Sequence, residues 1–494
     1  MRKLLVCLLF TAFVVPAAVH GTGFSDKARS FTLANGMTFY VYERHEIPTF
    51  CGMIMAKVGS VDEGKGVTGL AHFFEHLAFK GTPVMGTTDY AKERPILEAI
   101  DKLGEELSAE FAKGDKADAQ KMASLKEQMK KLQDDSLKYA VKDELGKIYS
   151  ENGGRGLNAG TGTDQTTYYI QLPANRLELW FLIESERFKY PAFREFYSER
   201  DVIAEERRMG ENMPGENLYE EFENAAYTLS PYRHSVVGYM EDIQTFTRPK
   251  ALAFYKQYYI PNNLTAAVVG DVKLEDVKRL AEQYFGDIPR GPEPPRPEFL
   301  EPKQKGERRV ITEFDAQPEL LIGYHVPKTP DKAAYTLEMI ASILSSGDSS
   351  RFTRDLVTNR KLALSIYASP GTGRRYEGLF MVSGEPRSPN TAEDLEKAVY
   401  EHLDRLKTEP VKKEELDKVV NQLEAQLYQG FNNNMFIAFR LLNGAVIEGD
   451  IDAEFKDLEA LKKVTPEDVM SVAQRIFAFD NRTVGILRTK GGVK

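Results

Sequence analysis

The chain has 494 residues, 42% of them hydrophobic and 28% charged, with a net charge of -9 at pH 7. That composition can bury two or more cores and excludes a disordered protein. The acidic balance argues against general nucleic-acid binding; it suits a chamber that attracts basic peptides, and equally suits ordinary solubility.

Residues 1–21 read as an export signal, with Arg2 and Lys3 at the start, an apolar stretch from Leu4 to Val15 and a small-residue end from Pro16 to Gly21. The stretch is too short for a comfortable membrane span, and no later segment offers about 18 uninterrupted apolar residues. The expectation is an exported protein, periplasmic or secreted, without stable membrane insertion. Cys7 would leave with the signal, so Cys51 would be the only thiol and no intramolecular disulfide could form.

Phe31 to Leu33 and Met37 to Tyr42, joined through Asn35-Gly36, predict a hairpin with a tight two-residue turn. The apolar run from Cys51 to Val58 predicts the next strand. It leads into Gly69 to Thr82, where His72, Glu75 and His76 form an H-x-x-E-H pattern. Residues four apart share a helix face, so the two imidazoles can bind one ion. Glu75, between them, can hold and deprotonate a water. Leu70, Phe73, Phe74 and Leu77 make the turn apolar around this trio, which suits a partly buried ligand helix better than a solvated one.

Between residues 91 and 148, Ile96, Ile100, Leu103 and Leu107 recur at helical spacing, Gly114-Asp115 interrupts, and Met122, Leu125, Met129 and Leu132 resume. A helical hairpin fits; its charged face reads as solvated surface, with docking of a partner or covering of a chamber as the alternative. Thr166 to Leu172 is strand-like by its β-branched and aromatic content. Farther on, Glu199 and Glu206 are seven apart, two helical turns, so both carboxylates lie on one face. Two imidazoles are usually completed on zinc by a carboxylate. Glu206 is the candidate third ligand and Glu199 its support; taken alone, such a pair would read as a solvated face.

Six of the 24 prolines fall between Pro289 and Pro302, which marks a semi-rigid connector. The segments 247–269 and 465–487 echo each other as a Pro-started helix, a turn at Asn and a short apolar strand, which suggests duplication of one α/β unit. The divisions expected are a signal over 1–21, a zinc-binding half over 22–288, a linker over 289–305 and a second half over 306–494. Tyr335 to Leu344 stands where a second ligand helix would be and has no histidine, so the second half is expected to be catalytically silent.

Three segments, His72 to Thr82, Leu157 to Pro173 and Glu199 to Met209, give the chain its resemblance to the pitrilysin and mitochondrial processing peptidase family of inverted-motif zinc peptidases, as a catalytic-subunit-like member. The resemblance implies an α+β fold of two homologous halves. Each is a mainly antiparallel sheet packed with helices, and together they form a clam-shell-like chamber, with the helical hairpin inserted in the first. It implies one Zn²⁺ per chain, His72, His76 and Glu206 as ligands, Glu75 as base and Glu199 as supporting acid. It also suggests that a sheet edge near Asn158 and Ala159 pairs with an extended peptide substrate; a simple turn at Asn158 is the competing reading.

Single-chain members of that family carry an arginine and a tyrosine, seven apart, that contact substrate and oxyanion. Here Val357 and Leu364 occupy those positions, and neither side chain can donate a hydrogen bond. The expectation is a homologous partner lacking the zinc motif, in a heterodimer, or else a homodimer; Arg351, Arg354 or Tyr367 are the local substitutes. The function expected is zinc-dependent endopeptidase action on peptides or unfolded segments. The alternative is a non-catalytic peptide-binding or structural component on the same fold.

Overall fold

The computed structural model describes residues 23–372 and 374–491, so the expected export signal lies outside the described residues. Eleven strands among them build two sheets. The first contains β1 (Arg29–Thr32), β2 (Thr38–Glu43), β3 (Thr49–Ala56), β4 (Arg155–Thr161), β5 (Thr166–Pro173) and β6 (Leu264–Gly270), in the order β1-β2-β6-β3-β5-β4. The second contains β7 (Arg308–Phe314), β8 (Glu319–Val326), β9 (Ala363–Ser369), β10 (Gly378–Pro386) and β11 (Arg482–Thr489), in the order β7-β11-β8-β10-β9. Without β1 the two orders are the same. In each, one parallel pair, β2 with β6 and β7 with β11, sits in an otherwise antiparallel ladder.

The repeat seen in the sequence has a common physical basis in both halves. Helices Arg248–Tyr258 and Pro466–Ile476 start with proline in the first turn, where its missing N–H costs nothing, and the preceding Thr247 and Thr465 accept a backbone N–H. After each helix an asparagine ties the chain down. Asn263 donates to the Tyr258 carbonyl at 2.7 Å and to that of Lys57, just past β3. Asn481 donates to the Ile476 carbonyl at 3.0 Å and to that of His325 in β8.

The central strand β3 is apolar along almost its whole length because both of its faces are covered. Phe50, Ile54 and Ala56 face the main core of the first half. Cys51, Met53 and Met55, on the alternate side, pack under Ile437, Ala438 and Leu441 of helix Asn434–Asn443. That helix belongs to the second half. Helix Pro214–Ala226, from the first, answers it by placing Leu218 and Phe222 against Leu321 and Leu487 of the second sheet. The halves therefore exchange cover.

The first hairpin departs from expectation. Thr32 pairs with Thr38, Leu33 N–H reaches the Met37 carbonyl, and Ala34, Asn35 and Gly36 form a three-residue turn. Gly36 takes φ 94°, and the Asn35 amide is spent on the carbonyls of Phe285 and Ile288. That tertiary tether selects the longer loop over the two-residue turn that Asn-Gly favours. The helical hairpin comprises Tyr90–Phe111 and Ala119–Ser136, and Gly104 gives the Tyr197 ring room to approach. No helix among the described residues is long and apolar enough to cross a membrane.

Candidate metal centre

The H-x-x-E-H residues sit on helix Leu70–Leu77, which follows β3 and a loop. Gly69 precedes it at φ 93°, with a Val237 carbonyl so close that a Cβ could not fit. Buried Glu63 fixes the start: it accepts the Gly69 and Ala71 N–H groups, each at 2.7 Å. A carboxylate at a helix N-terminus answers both the free donors and the dipole. On the apolar face Phe73 and Phe74 stack among Phe193, Phe196, Phe246 and Phe254. That packing leaves the histidine face turned toward helix Phe196–Glu211.

There the predicted ligands meet. One donor atom each from His72, His76 and Glu206 lies within 4.8 Å of the others, the single such group of histidine, cysteine and acid side chains among the described residues. His72 Nε2 is 3.8 Å from one Glu206 oxygen and His76 Nε2 is 3.9 Å from the other. These gaps are too wide for hydrogen bonds and close enough for the three groups to share one ion. Two imidazoles and a carboxylate are the donor set of a catalytic zinc site with a position left open. Burial, with the neighbouring His76 adding to it, lowers the His72 pKa to about 4, so its ring is neutral at pH 7 and its lone pair is free. The donor set fits zinc.

Glu199 contacts the second imidazole. Its carboxylate is 3.4 Å from His76 Nδ1 and 2.5 Å from Lys80 Nζ. The Glu199 contact raises the His76 pKa against the effect of burial. Burial alone would push Glu199 up, but His76 and Lys80 outweigh it and hold the carboxyl below its ordinary value. A carboxylate on Nδ1 fixes the ring so that Nε2 faces the cluster. Glu75 accepts a 2.8 Å hydrogen bond from the Thr161 hydroxyl at the end of β4, which orients the carboxylate.

Neither Thr161 nor Lys80 was marked by sequence reasoning. Both lie inside conspicuous segments, but Thr161 reaches Glu75 only through sheet pairing, and Lys80 falls beyond the end of the ligand helix. Asn158 and Ala159 lie in β4, paired with Tyr169 and Tyr168, rather than in a turn. β4 is the edge of its sheet. Val357 is partly buried against the second core and Leu364 is exposed on β9. Of the local substitutes, Arg351 is held by Glu415 through two bonds of 2.9 and 2.8 Å, while Tyr367 is exposed.

The loop between β9 and β10 brings the second half to this site. Arg375 donates to both oxygens of Asp62, at 3.0 and 2.8 Å, and to the Asp164 carbonyl at 3.2 Å, in the turn that joins β4 to β5. Asp164 also accepts from the Tyr232 hydroxyl at 2.8 Å. All four side chains are buried.

Two family descriptions match the chain: "Insulinase (Peptidase family M16)" over residues 49–131 and "Peptidase M16 inactive domain" over 245–423. Together they span more than half of it. The chain belongs to the M16 peptidase family. Glu199 and Glu206 fall between the two M16 matches, so their place at the cluster comes from the folded geometry. The protein named "Zinc protease PqqE" of Helicobacter pylori is 28% identical over 488 residues, covering 96% of this chain and 95% of that one. A crystal structure of a protease from Helicobacter pylori superposes with a TM-score of 0.78 at 26% identity, over 94% of this chain and 99% of that one. The periplasmic protease PqqL of Escherichia coli shares the M16 fold, with a TM-score of 0.70 and 17% identity; the match covers 94% of this chain and 48% of PqqL.

Proposed function

We propose that this chain is a zinc metallopeptidase that hydrolyses extended peptides or unfolded segments. The convergence of His72, His76 and Glu206 carries the reading. A zinc ion held by these three groups supplies Lewis acidity for amide hydrolysis. Glu75, steadied by Thr161, takes a proton from the attacking water and returns one to the leaving nitrogen as the C–N bond breaks. Glu199 keeps His76 in the tautomer that presents Nε2, and Lys80 balances the added charge. The open edge of β4, with Asn158 and Ala159, offers backbone groups to an extended substrate.

Metal content measured on the purified chain, together with chelator-sensitive cleavage of unstructured peptides, tests the reading. One zinc per chain and cleavage abolished by chelation are expected; a metal-free chain, or cleavage indifferent to chelator, would refute it.

A homologous partner that supplies the missing hydrogen-bond donors completes the reading. Val357 and Leu364 offer none, and losing an oxyanion donor costs roughly 100-fold or more in rate. The match to only 48% of PqqL supports it, because a chain of that length has room for a second unit of this size. Full activity at dilutions where the chain is monomeric would rule the partner out. The basic and apolar start of the sequence, and the periplasmic description of PqqL, support export.

A further inference from the structure

Two short segments of the first half brace the hydrolytic groups, and they touch each other. One is 59–63, which follows β3; its Glu63 caps helix Leu70–Leu77 by accepting the Gly69 and Ala71 N–H groups. The other is the turn from Gly162 to Gln165 that joins β4 to β5, closed by the Gly162 N–H on the Gln165 carbonyl at 2.8 Å. Thr161, one residue before that turn, holds the Glu75 carboxylate. Ser60 and Val61 donate their N–H groups to the Gly162 and Thr163 carbonyls at 3.3 and 3.0 Å, and Gly59 lies so close to both carbonyls that a Cβ could not fit.

Each segment carries a buried aspartate, Asp62 or Asp164, and one guanidinium from the second half lies against both. Arg375 takes the two Asp62 oxygens with Nη1 and Nη2. Its Nη1 also donates to the Asp164 carbonyl, and its Nε stands 3.7 Å from the Asp164 carboxylate. The planar fork of arginine can serve several acceptors in fixed directions, which a compact ammonium cannot. Asp164 is further held by the buried Tyr232 hydroxyl, and Asp62 by Arg296 of the proline-rich stretch at 3.1 Å.

Arg375 therefore reaches Glu75 only through the turn and Thr161, and the ligand helix only through Asp62 and its neighbour Glu63. Misplacing a reacting group by about 1 Å costs up to roughly 100-fold in rate, so a clamp on the end of β4 acts on turnover without touching substrate. We propose that Arg375 is a positioning residue for the hydrolytic site, by which the second half locks the two segments that orient Glu75 and start the His72 helix. The proposal rests on the metallopeptidase reading and adds to it a contribution from the half that holds no metal ligand.

The test compares the full metal-loaded chain with Arg375→Gln, Thr161→Val and the double variant, at a temperature well below every melting point. In Arg375→Gln kcat should fall roughly 10- to 100-fold, with KM within about threefold and one zinc per chain retained. Thr161→Val should lose a similar factor, and the double variant should be little worse than either single one, because both changes release the same carboxylate. If Arg375→Gln does not fold, Asp164→Asn, which weakens the hold on the same turn, takes its place in the cycle. Losses that multiply in the double variant, a change confined to KM, or loss of zinc would make Arg375 a structural anchor only and overturn the proposal.

If the parent chain cleaves no peptide, the metallopeptidase reading fails instead, and amide hydrogen exchange decides the clamp. In Arg375→Gln the amides of 59–71 and 158–165 should exchange at least about tenfold faster while those of β8 stay unchanged. Exchange raised everywhere alike, or nowhere, would overturn it.

Discussion

Helix Leu70–Leu77 and helix Lys332–Ser345 follow equivalent central strands, β3 and β8, in sheets of the same order. The first carries two imidazoles and a carboxylate on one face. The second carries no imidazole; Leu337, Ile340 and Leu344 are fully buried and Glu338 is its only acid. Beside it lies a cavity of about 620 Å³ lined by Tyr335, Glu338, Glu448, Glu454 and Asp457. Carboxylates are present in both places. Only in the first do they meet imidazole nitrogens and a lysine; in the second, burial and mutual repulsion push Glu448 up to about 7. Both halves place this helix after the central strand, and the chemistry depends on which side chains it presents.

The contrast can be broken at several points. The largest effect is expected from Glu75→Gln, which should keep its metal and lose about 100- to 10,000-fold in kcat, whereas Glu338→Gln in the silent half should leave turnover within about twofold. Equal effects in a peptide assay would erase the distinction between the helices. Next, Glu206→Ala removes a ligand, and a zinc competition titration should show a loss exceeding the roughly 10- to 100-fold that an outer-shell partner is worth. Unchanged affinity would exclude Glu206 from the ligand set. Glu199→Gln should itself lie within that outer-shell range, with the overall fold intact by circular dichroism.

The smallest expected effect belongs to the silent cavity. The Glu448 carboxyl has a folded value of about 7 against an ordinary 4.5, so its contribution favours the folded state below pH 4.5 and is lost as pH rises through 7. Glu448→Gln should therefore stabilise the protein at pH 8 relative to the parent and leave it little changed at pH 4.5. The gain is on the order of 1 kcal/mol, reduced because the carboxyl is partly solvated. Thermal melts at the two pH values would show it; the same gain at both would mean that charge is not the cause.

Local spacing made much of this legible. His72, Glu75 and His76 lie within five residues, and Glu199 with Glu206 within two turns, so helix periodicity alone puts each set on one face. The duplicated Pro-helix-Asn-strand segments announced the repeat. What the sequence hid are the features made by distant partners: Thr161 on Glu75, the tether that lengthens the first turn through Asn35, the exchanged helices, and the meeting of Arg375 with Asp62 and Asp164. No period or spacing links residues 62, 164 and 375, because only packing of the two sheets brings them together.

That last junction bears on how the gene could be dissected. A first half produced alone, severed within the proline-rich stretch, would keep Asp62 and Asp164 but lose the Arg375 guanidinium that lies against both. It would also bare Cys51, Met53 and Met55 where helix Asn434–Asn443 now rests. The second half thus shields apolar surface of the first that would otherwise meet water, so the fold of the metal-cluster half depends on the half that holds no cluster.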